Sequence, residues 1–242
     1  MTRPSFSDTL HRLGTAQKGA ARSAPAYSRF VNRRLGRVLA ALAHSLGLSA
    51  DAVTGLSALF TFTGLALVAL VPFGWPLGIA VTACLVIGYA LDSADGQVAR
   101  LTGTGGPAGE WLDHVVDAVK VVTLPLVVLI GFHRADVVPE AWLLVPVVGA
   151  VVNSVLFFAM ILTEQMRRAH GVVSAAPTEG RGRWLRSVLV LPTDYGILCL
   201  AFVLLGAPRV FLGVYAFLVA ATAGYLLLAA VKWRREIRAL AA

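Results

Sequence analysis

Six apolar stretches, at residues 52–72, 76–98, 109–132, 139–163, 187–206 and 208–231, set the plan of the chain. Each approaches the ~20 residues that an α-helix needs to cross ~30 Å of hydrocarbon. Helix-breaking residues separate them. Gly74, Pro76, Pro139 and Pro208 mark turns, and Gly103, Gly105, Gly106 and Pro107 part the second stretch from the third. The pattern predicts an all-α polytopic membrane protein with six transmembrane helices. Ahead of them, residues 28–47 read as a separate amphipathic helix. Phe30, Val31, Leu35, Val38, Leu39 and Leu42 form an apolar side, and Arg29, Asn32, Arg33 and Arg37 occupy much of the other. Such a helix lies in the membrane interface against anionic lipid, either as an anchor or with a direct part in substrate binding. Residues 1–27 are polar and lack the apolar core of a signal peptide, and are expected to form a flexible cytoplasmic tail.

Composition agrees with this plan. The chain of 242 residues is 57% apolar and only 14% charged, with a mean hydropathy of +0.76. Of its 21 Lys and Arg residues, eight precede residue 38, Arg100 lies in the 99–108 loop, five fall between 167 and 186, and four follow residue 231. Only Arg134, Arg209 and Lys120 depart from this alternation. The positive-inside rule then makes both termini and the 99–108 loop cytoplasmic, as expected of a multi-pass protein of the cell (inner) membrane. The net charge of +8 is accounted for by topology, and no nucleic-acid partner is expected. Cys84 and Cys199 sit singly inside apolar stretches and read as packing residues.

Against this background, four aspartates stand out in LDSADGQVARLTGTGGPAGEWLDHVVDAVK, residues 91–120. At 3.6 residues per turn, Asp92, Asp95, Gly96 and Ala99 share a face of the second span. Asp113 and Asp117 are one turn apart on the third. A short Gly/Pro loop joins the two helices as an antiparallel pair, so the acidic faces converge near the cytoplasmic surface. Four converging carboxylates repel one another unless cations sit between them. Hard oxygen ligands in that number suit Mg²⁺ or Mn²⁺, and a pair of such ions is the usual clamp for phosphoryl transfer. Gly96 and Ala99 allow a phosphorylated ligand to approach the backbone, and Arg100 is placed to meet a phosphate oxygen.

The stretch spells D-x2-D-G-x2-A-R-x8-G-x3-D-x3-D from Asp92 through Gly109 to Asp117. In this it resembles the CDP-alcohol phosphatidyltransferase family, whose signature of eight specified residues it matches without departure. Six spans behind an amphipathic helix also resemble that family's architecture, so residues 28–242 are expected to form one transmembrane phosphotransferase domain. The resemblance implies that Asp92, Asp95 and Asp113 are metal ligands. Asp117 would be the general base and would also touch a metal, with two Mg²⁺ or Mn²⁺ ions bound. It also implies that Gly96, Ala99, Arg100 and Gly106 line the CDP site. The family's P-N-x-x-T sequence reads Ala50-Asp51-Ala52-Val53-Thr54 here, losing the Pro and Asn. Asp51 and Thr54 are accordingly carried over as nucleotide contacts at a position that departs from the pattern. The implied reaction moves a substituted phosphate group from a CDP-alcohol, CDP-diacylglycerol foremost, to the hydroxyl of a small polar acceptor such as inositol phosphate or glycerol phosphate, releasing CMP. A soluble donor such as CDP-inositol is the alternative, and the family's members also imply a homodimer.

Several residues outside the signature remain open. Lys120 shares the face of Asp113, and either neutralises the cluster or contacts the acceptor. Arg167 and Arg168, with Arg181, Arg183 and Arg186, are either topology determinants or contacts for an acceptor phosphate. Asp194, after Pro192 in the fifth span, either pairs with an arginine or Lys120 or binds acceptor hydroxyls. The glycine-containing loop from 169 to 186 is either a connector or a cover for the site. A carboxylate-lined transporter is the competing class. All four aspartates lie at the cytoplasmic ends of the spans, and Glu140 on the far side reads as a helix-start residue, which disfavours a polar route across the membrane.

Overall fold

Caps and prolines start most of the helices. The computed structural model describes residues 9, 10, 13, 26–172 and 191–240. A π-helical turn, Ser28–Asn32, leads into α1, Arg33–Ser45. The Ser49 hydroxyl accepts from the Ala52 N–H at 3.2 Å and opens α2, Ala50–Leu70. Pro76 and Pro107 stand in the first turns of α3, Trp75–Thr102, and α4, Pro107–Ala135, where a missing N–H costs nothing. Gly103 ends α3 in the left-handed conformation (φ 69°), which glycine adopts without a Cβ penalty. A 3-10 turn, Glu140–Leu143, precedes α5, Leu144–Ala169. After the undescribed 173–190 segment come α6, Tyr195–Ala201, continued by a 3-10 helix Phe202–Gly206, and α7, Pro208–Leu240.

The protein is an all-α polytopic membrane protein. Among the described residues, α2, α3, α4, the Glu140–Ala169 helix and α7 are long and apolar enough to cross a bilayer. The fifth expected span differs. Its described part is the short apolar helix Tyr195–Gly206, 12 residues against the ~20 required. Pro192 lies in a 3-10 turn, Leu191–Thr193, and Asp194 then caps a new helix at Tyr195. Hydropathy therefore runs through a point at which the backbone restarts. The expected stretch from 187 to 190 lies outside the described residues, as do Arg181, Arg183, Arg186 and most of the expected N-terminal tail and 169–186 cover. Several helices outrun their apolar stretches, among them α5, which runs to Ala169 against an expected end at 163. α3 carries on to Thr102, and α7 continues to Leu240 with a Lys232–Glu236 pair one turn apart in its polar extension.

The bundle is built on the packing of α2 against α3, where the Ser57 hydroxyl donates to the Gly88 carbonyl at 2.9 Å. Leu65, Val68, Leu85, Val128, Phe132, Phe202, Phe211 and Tyr215 fill the centre. Nearer the signature end, Ala40, Ala41, Ala43, Val53, Leu91, Ala94 and Val98 form a second cluster that seats α1. Small residues allow helix backbones to approach closely, which matters most where lipid removes the hydrophobic drive between helices.

The π-helical turn and α1 together show an exposed apolar face and an inward one. Phe30, Val31, Leu35, Val38 and Leu42 are exposed and suited to lipid. Asn32, Gly36, Ala40 and Ala43 are turned inward, and the Asn32 amide donates to the Tyr89 carbonyl of α3 at 3.1 Å. Arg34 is also exposed. At the end of the bundle away from the signature, two arginines that depart from the charge alternation, one in the last turn of α4 and one in the first turn of α7, bind backbone carbonyls. Arg134 donates to the Ala69 carbonyl at the end of α2, and Arg209 donates to the Val137 carbonyl at 3.2 Å.

A Cβ at Gly36 would stand 2.7 Å from Ser93 Oγ and 2.8 Å from Ser93 Cβ on α3. Gly36→Leu is therefore expected to prise α1 from α3 at a cost of about 1–3 kcal/mol, read as a drop of roughly 2–12 °C in the unfolding midpoint in detergent. An unchanged midpoint would show that α1 does not dock as described.

Candidate active site

The four-residue turn between α3 and α4 sets two helical faces against each other. α3 contributes Asp92 and α4 contributes Asp113 and Asp117, and carboxylate oxygens of these three lie within 4.8 Å of one another. All three are half-buried. Lys120, one turn beyond Asp117, is buried at 6% exposure. Its ammonium donates to Asp92 Oδ1 at 2.5 Å and to Asp117 Oδ1 at 3.0 Å. Lys120 thus forms an ion pair with two of the three carboxylates.

Asp95 stands apart from this triad. Its Oδ2 accepts from the Thr54 hydroxyl of α2 at 2.7 Å and its Oδ1 from the Gly96 N–H at 2.5 Å. Thr54 thus meets the signature through Asp95. Arg100 folds back along α3, so that its guanidinium lies 3.3 Å from where a Gly96 Cβ would be. The corresponding positions at Gly105 and Gly109 lie 3.8 Å from Ala99 Cβ and 3.7 Å from Asp51 Oδ1. Gly106 is exposed at the N-cap of α4. Next to these residues is a cavity of about 450 Å³, lined by His44, Ser49, Asp51, Thr102 and Thr104 among others. Its walls come from the α1–α2 turn and the end of α3, and no spacing in the sequence announces His44, Thr102 or Thr104.

The arginines at the end of α5 already have partners. Arg168 pairs with Glu110 of α4 at 2.5 Å and with Glu164 at 3.4 Å, and Arg167 pairs with Glu236 of α7 and with Glu164 at 3.7 Å. These pairs tie the signature-side ends of α4, α5 and α7 together. Arg33 of α1 is a cation that the signature does not include. Burial, then the neighbouring Arg100 and Arg29 guanidiniums, hold its pKa below the ordinary arginine value, so Arg33 and Arg100 add positive charge at the same end of the bundle. His114, to which no role is assigned, lies against Phe157 and Glu110.

Among the described residues, the Asp194 carboxylate accepts from two backbone N–H groups and forms no ion pair with an arginine or Lys120. Its Oδ1 accepts from the Gly196 N–H at 3.0 Å, capping α6, and its Oδ2 accepts from the Ser28 N–H at 3.0 Å. It is 2% exposed. Tyr27 closes over the same point and stacks on Tyr89 of α3.

Fold and site together define a membrane protein with a carboxylate and ammonium centre at one end of its helix pair. The family model for CDP-alcohol phosphatidyltransferase matches residues 47–231, most of the chain, and the protein belongs to that family: it is a membrane-bound phosphotransferase. A search among curated proteins gives no match.

Because Asp194 satisfies two backbone donors, Asp194→Ala should cost about 0.5–2 kcal/mol or somewhat more through loss of the cap. The expected result is a lower unfolding midpoint with the KM for the acceptor alcohol unchanged. A raised acceptor KM at unaltered stability would instead place Asp194 in the acceptor site.

Proposed function

We propose that this enzyme transfers a phosphatidyl group from CDP-diacylglycerol to the hydroxyl of a small polar acceptor, inositol phosphate or glycerol phosphate, and releases CMP. The observation that carries the reading is the Asp92–Asp113–Asp117 triad, with carboxylate oxygens within 4.8 Å, assembled on the family's matched region. Hard carboxylate oxygens at this spacing fit Mg²⁺ or Mn²⁺, to be held by these three residues, with Asp95 completing a two-ion set. Such ions, when bound, would neutralise charge on the diphosphate oxygens of the donor.

The chain's own groups account for the remaining steps. Asp117 takes the proton of the acceptor hydroxyl. The freed oxygen attacks the β-phosphorus in line, an acceptor O–P bond forms, and the bond to the CMP phosphate breaks as CMP leaves. Gly96 and Ala99 give the donor access to the α3 backbone, and Arg100 meets a phosphate oxygen. The cavity beside Asp51 takes the nucleoside, with Thr54 orienting Asp95 at its edge. Its position at the helix ends suits a donor whose chains lie in lipid and an acceptor arriving from water. An acceptor phosphate would meet Arg167 and Arg168 by exchanging with their glutamate partners. Six spans, cytoplasmic termini and active site, an inner-membrane location and a homodimer complete the reading.

The test is CMP release by purified protein in detergent with Mg²⁺ or Mn²⁺, crossing CDP-diacylglycerol and CDP-inositol with inositol, inositol phosphate, glycerol phosphate and serine. Acceptor-dependent release is expected with CDP-diacylglycerol. Asp117→Asn should lower it by ~10²–10⁴-fold, the usual contribution of a general base. Release with CDP-inositol alone would name the soluble donor instead, and an undiminished Asp117→Asn variant would remove the base assignment.

A further inference from the structure

Lys120 is not one of the eight signature residues, yet its ammonium touches two of the four aspartates. It lies one turn deeper along α4 than Asp117, and towards the middle of the bundle the same helix buries Leu124 and Val128. The ammonium lies 2.5 Å from Asp92 Oδ1 and 3.0 Å from Asp117 Oδ1. It is thus in hydrogen-bond contact with oxygens of two residues that are proposed to hold a divalent ion.

We propose that Lys120 is a resident cation of the carboxylate site, a positioning residue that competes with divalent ions for Asp92 and Asp117. The inference rests on the metal reading of the triad given above. Three carboxylates this close would repel one another in a metal-free protein, and α3 and α4 would be driven apart at the point where they must meet. A fixed ammonium between the helices prevents this. The same ammonium holds an oxygen on each of two prospective ligands and repels any cation that approaches them. It therefore lowers divalent-ion affinity while it raises the stability of the metal-free protein. Both effects have one origin, and a purely structural salt bridge remote from the metal site would produce only the second.

Lys120→Met removes the charge and keeps most of the side-chain volume, and Lys120→Arg keeps the charge. Mn²⁺ binding is measured by calorimetry on the purified full-length proteins, and unfolding midpoints are taken in EDTA and in saturating Mn²⁺. Lys120→Met is expected to bind Mn²⁺ about tenfold or more tighter than the unsubstituted protein, or to take up an additional ion. Its midpoint should fall in EDTA and recover with Mn²⁺. Lys120→Arg should resemble the parent in both respects.

Equal Mn²⁺ affinity and stoichiometry in Lys120→Met and the parent would overturn the proposal, as would a loss of stability that Mn²⁺ does not restore. Should Lys120→Met fail to fold in EDTA, purification in Mn²⁺ decides: folding there supports the proposal, and failure in both conditions overturns it. Absence of Mn²⁺ binding from parent and variant alike would fail the metal reading itself, and this inference with it.

Discussion

A carboxylate set at the edge of hydrocarbon needs compensation from within the protein, because lipid supplies none. The α3–α4 pair is organised around that requirement. Asp92 and Asp117 share the Lys120 ammonium, and Asp95 is satisfied by the Thr54 hydroxyl and the Gly96 N–H. Asp113 brings its carboxylate to the triad at the half-buried level, nearly two turns into α4. The compensation comes from three helices: α3 and α4 supply it for Asp92 and Asp117, and α2 adds the Thr54 hydroxyl for Asp95. It leaves the remaining helices to hold two helix faces at a fixed separation, which is what an enzyme working by positioning and electrostatic stabilisation requires.

That holding is done by contacts between elements far apart in sequence. α2 reaches the site through Thr54 and α1 braces α3 through Asn32 and Gly36. Asp194 joins the start of α6 to the turn before α1 with two backbone hydrogen bonds from one buried carboxylate. Such a bond to a charged group contributes about 1.5–3 kcal/mol, more than exposed ion pairs provide. The Arg167 and Arg168 pairs with glutamates of α4, α5 and α7 are partly exposed and worth less singly. Their value lies in linking three helix ends at once around the mouth of the site.

Of the four aspartates expected to converge, Asp92, Asp113 and Asp117 form one group, and their meeting was legible because its geometry is local. Residues 113 and 117 share a helical face, a four-residue turn reverses the chain, and Asp92 must then face them. Lys120 was readable as a neighbour of the same face for the same reason. What needed the structure depends on the register between distant helices. The hydroxyl that reaches Asp95 lies 41 residues earlier, and the glutamates that occupy Arg167 and Arg168 lie 69 and 58 residues away. The inward stripe of α1 escaped an apolar-against-polar reading because Gly36, Ala40 and Ala43 are small rather than strongly apolar. The helix restart inside the described part of the fifth apolar stretch was not legible, because hydropathy sums side chains and is blind to a cap such as Asp194 after Pro192.

The one-sidedness of the polar groups argues for chemistry at a surface rather than passage through the bundle. Inward of Lys120 the core passes to Leu124, Val128, Phe132, Phe211 and Tyr215, packed together without an intervening carboxylate. At the opposite ends of the helices, Asp136 and Glu140 are exposed residues of the connection after α4, and Arg134 and Arg209 are engaged with backbone carbonyls. An ion crossing the bundle would meet apolar packing over most of its path, where a bare charge is costly. A diphosphate bound at the triad crosses nothing. On the proposed reading its acyl tail stays in lipid and its nucleoside takes the 450 Å³ cavity beside the α1–α2 turn. On the same reading a water-borne alcohol approaches from the exposed end of the helix pair. Lipid donor and soluble acceptor can then meet without either leaving the phase in which it is stable.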